Sequence, residues 1–120
     1  MSRSRVDLVD ETFIRATPEQ VREQFADAGW LGSLWPHLDL SVVRDRGVKG
    51  IRWHVSGQVV GDMEVWLEPW RDGVIVHHYL RGVRGERAPR DVGARHTRRW
   101  KAAVHALKDR LEDVADGGRR

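Results

Sequence analysis

The chain lacks cysteine altogether, which excludes disulfides, thiolate metal ligands and a cysteine nucleophile. It also lacks any apolar run near the roughly 20 residues that a membrane-spanning helix requires. Residues 1–11 include basic side chains, but neither an apolar stretch nor a small-residue cleavage site follows them, so we expect no secretory signal. These absences predict a cytoplasmic protein without a membrane span.

What the sequence does contain is typical of one folded domain. Its 120 residues are 40% hydrophobic and 32% charged, and a chain of this length forms a single hydrophobic core. We therefore predict one domain over residues 1–120, with its core at about residues 6–114 and a frayed tail at 115–120. The net charge is +3, and the basic excess lies after residue 80.

The first third of the chain predicts a strand followed by two short helices. Polar and apolar residues partly alternate over residues 6–16, which indicates a strand with one solvent-facing side. Thr17 and Gln20 have the spacing of a reciprocal helix cap. We expect this first helix to end near residue 27, stopped by Gly29, and a second apolar helix to cover residues 30–35.

The rest of the chain predicts an antiparallel meander and one long helix. From residue 39 onward the apolar residues recur with a period of two, which is the spacing of strands with one covered face. A polar loop at residues 82–90 precedes a helix expected over residues 91–114. The strands are predicted at residues 40–46, 51–56, 59–68 and 74–83. The helix stripe is Trp100, Ala103, Val104, Leu107, Leu111 and Val114, with His96 on the same side.

Several short motifs resemble those of a known superfamily. They are ATPE at residues 16–19 with Val21, Trp35-Pro36, RDRGVKGIRW at 44–53, VWLEP at 65–69, VHHYLR at 76–81 and RRWKAAVHALKDRLE at 98–112. With this element order, the chain resembles the START-like, Bet v 1-like (SRPBCC) superfamily, and more closely its bacterial polyketide cyclase/dehydrase-type members. The resemblance implies an α+β helix-grip fold, with a curved antiparallel sheet of about five to seven strands wrapped on the C-terminal helix.

The resemblance also implies a hydrophobic cavity between the sheet and the long helix. Such a cavity binds lipids, polyketides, isoprenoids or similar molecules, and we expect a ligand-binding protein without a cofactor. A cyclase or dehydratase enzyme is the alternative, because the fold alone does not choose between binding and catalysis. The predicted pocket walls are Trp35, Trp53, Met63, His78, Trp100 and Val104, with His96 near the mouth.

The adjacent His77 and His78 point to opposite faces of a strand and therefore do not chelate one ion together. No other histidine spacing fits a metal motif, so we expect no metal. A four-residue loop at residues 70–73, with Gly73 in the left-handed conformation, puts His78 on the apolar inner face. His77 then lies with Tyr79 on the outer face, near Trp66.

An inward histidine is more often a hydrogen-bonded core residue than a catalyst. The first strand is nevertheless expected to pair with the last, which brings Asp10 or Thr12 toward His78. A carboxylate that orients an imidazole is the minimum for general-base chemistry. If the protein is an enzyme, we expect His78 and Asp10 to polarise a ligand hydroxyl or carbonyl.

Two further partner classes remain open. The basic C-terminal third offers salt-sensitive nucleic-acid binding as an alternative to the pocket, although no aromatic platform is interleaved with it. Its basic residues are Arg81, Arg84, Arg87, Arg90, Arg95, Arg98, Arg99 and Lys101. A homodimer through an outer patch of Trp66, His77 and Tyr79 is the other interpretation, since interfaces are rich in aromatic residues.

Overall fold

One antiparallel sheet, two short helices and a long C-terminal helix make up the computed structural model, which describes residues 4–117. The strands are β1 (Arg5–Ile14), β2 (Leu38–Asp45), β3 (Gly50–Gly57), β4 (Val59–Trp70) and β5 (Gly73–Arg84), with a single 3₁₀ turn (Gly47–Lys49) between β2 and β3. The helices are α1 (Pro18–Gln24), α2 (Ala28–Leu34) and α3 (Val92–Gly117).

The strand order in the sheet is β1-β5-β4-β3-β2, and every neighbouring pair is antiparallel. The first strand therefore pairs with the last, while β2 to β5 form a simple meander. With five strands, two short helices after β1 and a long helix after β5, the predicted α+β helix-grip architecture is confirmed. Helix α3 runs three residues past its predicted end, and the tail at residues 118–120 lies outside the described residues.

Local sequence explains where the short helices begin. Thr17 accepts a hydrogen bond from the backbone N–H of Gln20, and the Gln20 side chain accepts one from the Thr17 backbone, so the predicted reciprocal cap is present. The predicted stop at Gly29 is wrong. Asp27 accepts a hydrogen bond from the backbone N–H of Trp30 and thereby caps α2, which contains Gly29 in its first turn.

The hairpin between β4 and β5 is tighter than predicted. Trp70 pairs with Gly73, so the loop has two residues rather than four. Arg71, with φ of 52°, takes the left-handed conformation expected of Gly73, and its guanidinium lies 4.4 Å from the centroid of the Trp70 ring. Both loop lengths give the same strand parity, so the inward direction of His78 is confirmed.

Two glycines allow β4 and β5 to approach each other closely. Gly61 and Gly82 are directly opposed in the register. A Cβ atom on Gly61 would lie 2.0 Å from the backbone oxygen of Arg81, well inside van der Waals contact. Only glycine fits such a position in a strand. The two glycines therefore belong to β4 and β5 and do not interrupt them.

Helix α3 packs across the inner face of the sheet through Trp100, Val104 and Leu107, all of which are buried. His96 is buried on the same side, as predicted. The prediction that Val114 belongs to the buried stripe is wrong, because Val114 is 65% exposed. The apolar packing of the helix therefore stops near Leu111, which is only partly buried.

Candidate functional site

The residues predicted as pocket walls come together in the core between the sheet and α3. All are at most 3% exposed, and they pack against one another. They are the six predicted walls, Trp35, Trp53, Met63, His78, Trp100 and Val104, together with His96, which was predicted near the mouth of the pocket but is 1% exposed. These side chains fill the space between the sheet and the helix, and other parts of the protein cover them.

Trp35 is the centre of this aromatic core. It occupies the C-cap position of α2, and its ring lies parallel to the rings of His78 and His96, at centroid distances of 5.5 and 6.0 Å. Trp53 meets it edge-on at 5.4 Å. Stacked and edge-on rings at these distances add to the stabilisation from area burial, so the end of α2 is fixed to the sheet through this one side chain.

Three imidazoles form a hydrogen-bonded chain beside Trp35. Nδ1 of His78 lies 2.9 Å from the backbone oxygen of Glu64, and Nε2 of His78 lies 2.9 Å from Nε2 of His96. Nδ1 of His96 in turn lies 3.1 Å from Nε2 of His37. The chain, His37–His96–His78, thus joins the loop after α2, helix α3 and strand β5, and it ends on a backbone carbonyl of β4.

The three rings lie in a row and do not converge on one point. His96, the middle ring, uses both of its nitrogens inside the chain. Within residues 4–117, no group of three or more His, Asp or Glu side chains is placed to hold a metal ion. The three histidines therefore have the geometry of a hydrogen-bond relay.

Burial keeps the relay neutral. Desolvation lowers the pKa of His78 to about 4, against a smaller opposing effect of its bond to the Glu64 carbonyl. The pKa of His96 is also lowered, first by burial and then by the neighbouring His78 and His37. Burial and the charge of Arg99 lower the pKa of His37 as well. At neutral pH all three rings are uncharged.

Asp10 does not orient His78, contrary to the sequence-based expectation. The two residues are directly opposed in the β1–β5 register, but the Asp10 carboxylate accepts hydrogen bonds from Trp100 Nε1 at 2.8 Å, from Thr12 Oγ1 at 3.0 Å and from Lys101 Nζ. Burial alone would raise the pKa of Asp10, but these hydrogen bonds outweigh it and hold the pKa below its ordinary value. The group that orients His78 is the Glu64 carbonyl.

Sequence reasoning missed His37, the third member of the relay. It lies in the short connection between α2 and β2, outside any periodic pattern. The one available signal was its position between Trp35 and Leu38, both of which are buried. In a short loop no periodic pattern fixes the direction of a polar residue between two core positions, so this signal is weak.

The predicted outer patch is present but is interleaved with charge. The rings of Trp66 and His77 stack at 4.2 Å on the outer face, as predicted. His77 is held by Glu68 at 2.9 Å and by Glu11 at 3.5 Å. Tyr79 lies opposite Glu64, a nearly buried carboxylate that pairs with two arginines. Charged side chains therefore lie around the aromatic rings on this face.

Several of the basic residues proposed for nucleic-acid binding are engaged in ion pairs. Arg81 lies 3.3 Å from Asp7, Arg95 lies 3.0 Å from Asp91, and Lys101 contacts Asp10. Each of these pairs reduces the positive charge that is available to phosphate groups. The basic surface is correspondingly weaker than the sequence count indicates.

A shallow groove separates α2 from α3. Its volume is about 390 Å³, and Trp30, Leu34 and Ala103 give it apolar walls. Arg99, whose charge acts on His37, lines the same groove, and Leu34 directly precedes Trp35. The apolar wall of this groove is therefore continuous with the hydrophobic core.

No helix within residues 4–117 is long and apolar enough to cross a membrane. In comparisons with known proteins, no family model and no curated protein match the chain.

Solved structures do match it. The Aha1 dimer from Colwellia psychrerythraea has a TM-score of 0.66 at 17% identity, covering 89% of this chain and 96% of that one. CalU16 from Micromonospora echinospora gives 0.64 at 9%, covering 97% and 91%. Ara h 8.0201 gives 0.56 at 11%, covering 92% and 99%. At these identities the likeness concerns the fold alone, and the fold is a helix-grip of the Bet v 1-like kind.

Proposed function

We propose that the protein binds a hydrophobic small molecule, of lipid, polyketide or isoprenoid type, between the sheet and α3. The observation that carries this proposal is the groove between α2 and α3, because three of its lining residues, Trp30, Leu34 and Ala103, belong to the hydrophobic core or pack against it. Its volume of about 390 Å³ falls within the range of roughly 300–1,000 Å³ that is usual for ligand pockets.

Helix α2 is the part of the cover that can move. It has seven residues, and a helix this short is not stable without tertiary packing. Its packing depends on Leu34, on Trp35 and on an edge-on contact between Trp30 and Phe25 at 5.1 Å. A ligand that replaces the Leu34 and Trp30 contacts with its own apolar surface compensates for their loss, so α2 opens at a small net cost.

Once α2 moves, the aromatic core becomes the wall of the site. Trp35, Trp53, Met63, Trp100 and Val104 supply affinity by burying apolar ligand surface. His78 and His96 contribute differently from what the sequence suggested. Both nitrogens of each ring are bonded within the protein, so these two histidines hold the relay in place and do not contact the ligand with a free nitrogen.

Native mass spectrometry of the purified protein tests this proposal first, since a copurifying apolar compound gives a discrete added mass. Displacement of a hydrophobic dye by fatty acids and by aromatic polyketides gives the affinity. Ala103→Phe fills the groove and is expected to weaken binding at least about tenfold. Ala94→Phe is the matched control, because Ala94 is an exposed alanine on the same helix that does not line the groove. Equal binding by both variants contradicts the proposal.

A homodimer through the outer face is a second proposal. The Aha1 structure from Colwellia psychrerythraea is described as a dimer, and Trp66 on the outer face of this chain is 38% exposed. Sedimentation velocity of the wild type and of Trp66→Ala tests it. A concentration-dependent dimer that the substitution abolishes supports it, and a wild type that stays monomeric at high concentration contradicts it.

A further inference from the structure

The histidine relay has a fixed direction, which follows from counting its protons. The Glu64 carbonyl only accepts, so Nδ1 of His78 must carry a proton. A neutral His78 then accepts at Nε2, and Nε2 of His96 must donate to it. Nδ1 of His96 accepts in turn from Nε2 of His37. Three neutral rings hold three protons, and the three hydrogen bonds use all of them.

One nitrogen of the relay remains without a proton and without a partner. It is Nδ1 of His37, which is buried and has no hydrogen bond to the residues that the structure describes. A buried acceptor without a donor is unfavourable, and a donor that reaches it recovers the loss. The relay therefore ends in a lone pair on His37, two residues after Trp35 at the C-terminal end of α2.

A second polar atom at the same end of α2 is also unpaired. Nε1 of Trp35 is buried without a hydrogen-bond partner among the described residues, and an indole N–H only donates. The short segment from Trp35 to His37 thus leaves one donor and one acceptor unsatisfied. A ligand hydroxyl can accept from the indole N–H or donate to the imidazole nitrogen, so it can satisfy either atom.

We infer that Nδ1 of His37 is the polar subsite of the pocket, an acceptor that selects hydrophobic ligands carrying a hydroxyl over ligands in which that hydroxyl is blocked. The inference rests on the proposed ligand binding and adds the chemical class of the ligand to it. His96, His78 and the Glu64 carbonyl position the acceptor, because together they force its tautomer. Arg99, on the exposed face of α3 and close to His37, disfavours a second proton on this ring and so keeps the lone pair free.

Long-range ¹H–¹⁵N correlation spectra of the imidazoles test the direction of the relay without any ligand. At pH 7.5 the expected pattern is a protonated Nδ1 on His78, a protonated Nε2 on His96 and His37, and a bare Nδ1 on His37. A protonated Nδ1 on His37 overturns the inference, whatever the protein binds.

Dye displacement by 2-naphthol and by its methyl ether tests the subsite. The wild type is expected to bind the naphthol about fivefold more tightly, the value of one neutral hydrogen bond. His37→Phe removes both the donor to His96 and the ring acceptor, so this variant should lose the preference. His37→Gln keeps a donor for His96 and offers its amide oxygen as an acceptor, so it should retain part of the preference. His105→Gln, an exposed histidine elsewhere on α3, should keep it.

The outcomes separate this inference from the proposed function. Equal affinity for the two compounds in the wild type, or a full naphthol preference that survives in His37→Phe, overturns the subsite and leaves hydrophobic binding intact. Failure of both compounds to displace the dye contradicts the proposed function and the subsite together.

Discussion

Mild acid should destabilise this fold through its buried histidines, and His78 allows the effect to be worked out. Its pKa is about 4 in the folded protein, against an ordinary value of 6.5. Between these two values the unfolded chain binds a proton on this imidazole and the folded chain does not. The free energy of unfolding therefore falls as the pH drops from 6.5 toward 4, and the contribution is constant below that.

The size of the effect follows from the two pKa values. At pH 5 the unfolded His78 is almost fully protonated and the folded one almost fully neutral, so the loss relative to pH 7.5 is about 2 kcal/mol. The lowered pKa values of His96 and His37 add to the loss in the same direction. The pKa of the Asp10 carboxylate is lowered from 3.8. Asp10 therefore does not contribute to the change in stability between pH 7.5 and pH 5.

Urea denaturation followed by tryptophan fluorescence at pH 7.5, 6.5, 5.5 and 5.0 measures the loss. In His78→Phe, which keeps a ring but cannot titrate, the pH dependence over this window should shrink by about 2 kcal/mol, even though the variant is less stable at every pH. His105→Gln serves as the control for changing an exposed histidine and should keep the wild-type profile. A free energy of unfolding that is unchanged between pH 7.5 and 5.0 would refute the reasoning.

Three further predictions concern stability and are read from urea denaturation at pH 7.5. Trp35→Ala removes the centre of the aromatic core and should cost about 3–5 kcal/mol; a loss below about 1 kcal/mol would mean that Trp35 does not hold α2. Thr17→Ala removes the helix cap and should cost about 1 kcal/mol, whereas no change would show that the cap is unimportant. Gly61→Ala forces a Cβ onto the Arg81 carbonyl, 2.0 Å away, and should cost about 3 kcal/mol or more. Gly32→Ala, where no atom lies within 4 Å of the new Cβ, should be neutral or slightly stabilising.

The inner face of the sheet could be predicted from the sequence because strand parity is a strict rule. A period of two over β4 and β5 fixes which residues share a face, and this placed His78 inward even though the loop length was wrong. Reciprocal caps are similarly local, so the start of α1 at Thr17 was correct. In both cases the signal lies within a few residues of the feature that it predicts.

The relay could not be predicted because it depends on contacts between distant parts of the chain. His37 and His96 are 59 residues apart, and His78 and His96 are 18 apart. Nothing in the local pattern states that the loop after α2 turns its histidine toward α3. The prediction that Asp10 orients His78 was wrong for a related reason. Its register opposite His78 was expected, but Trp100 and Lys101 of α3 compete for the carboxylate, and their approach is set by how α3 crosses the sheet.

The indole N–H resonances of the six tryptophans test the central claim most directly, because the tryptophans report on both faces of the sheet. On addition of 2-naphthol to ¹⁵N-labelled protein, hydrophobic binding between the sheet and α3 predicts shifts at Trp30, Trp35 and Trp100. The resonances of the outer-face Trp66 and the hairpin Trp70, which are 38% and 44% exposed, should not shift. Shifts confined to Trp66 and Trp70, or none at millimolar ligand, would contradict the account.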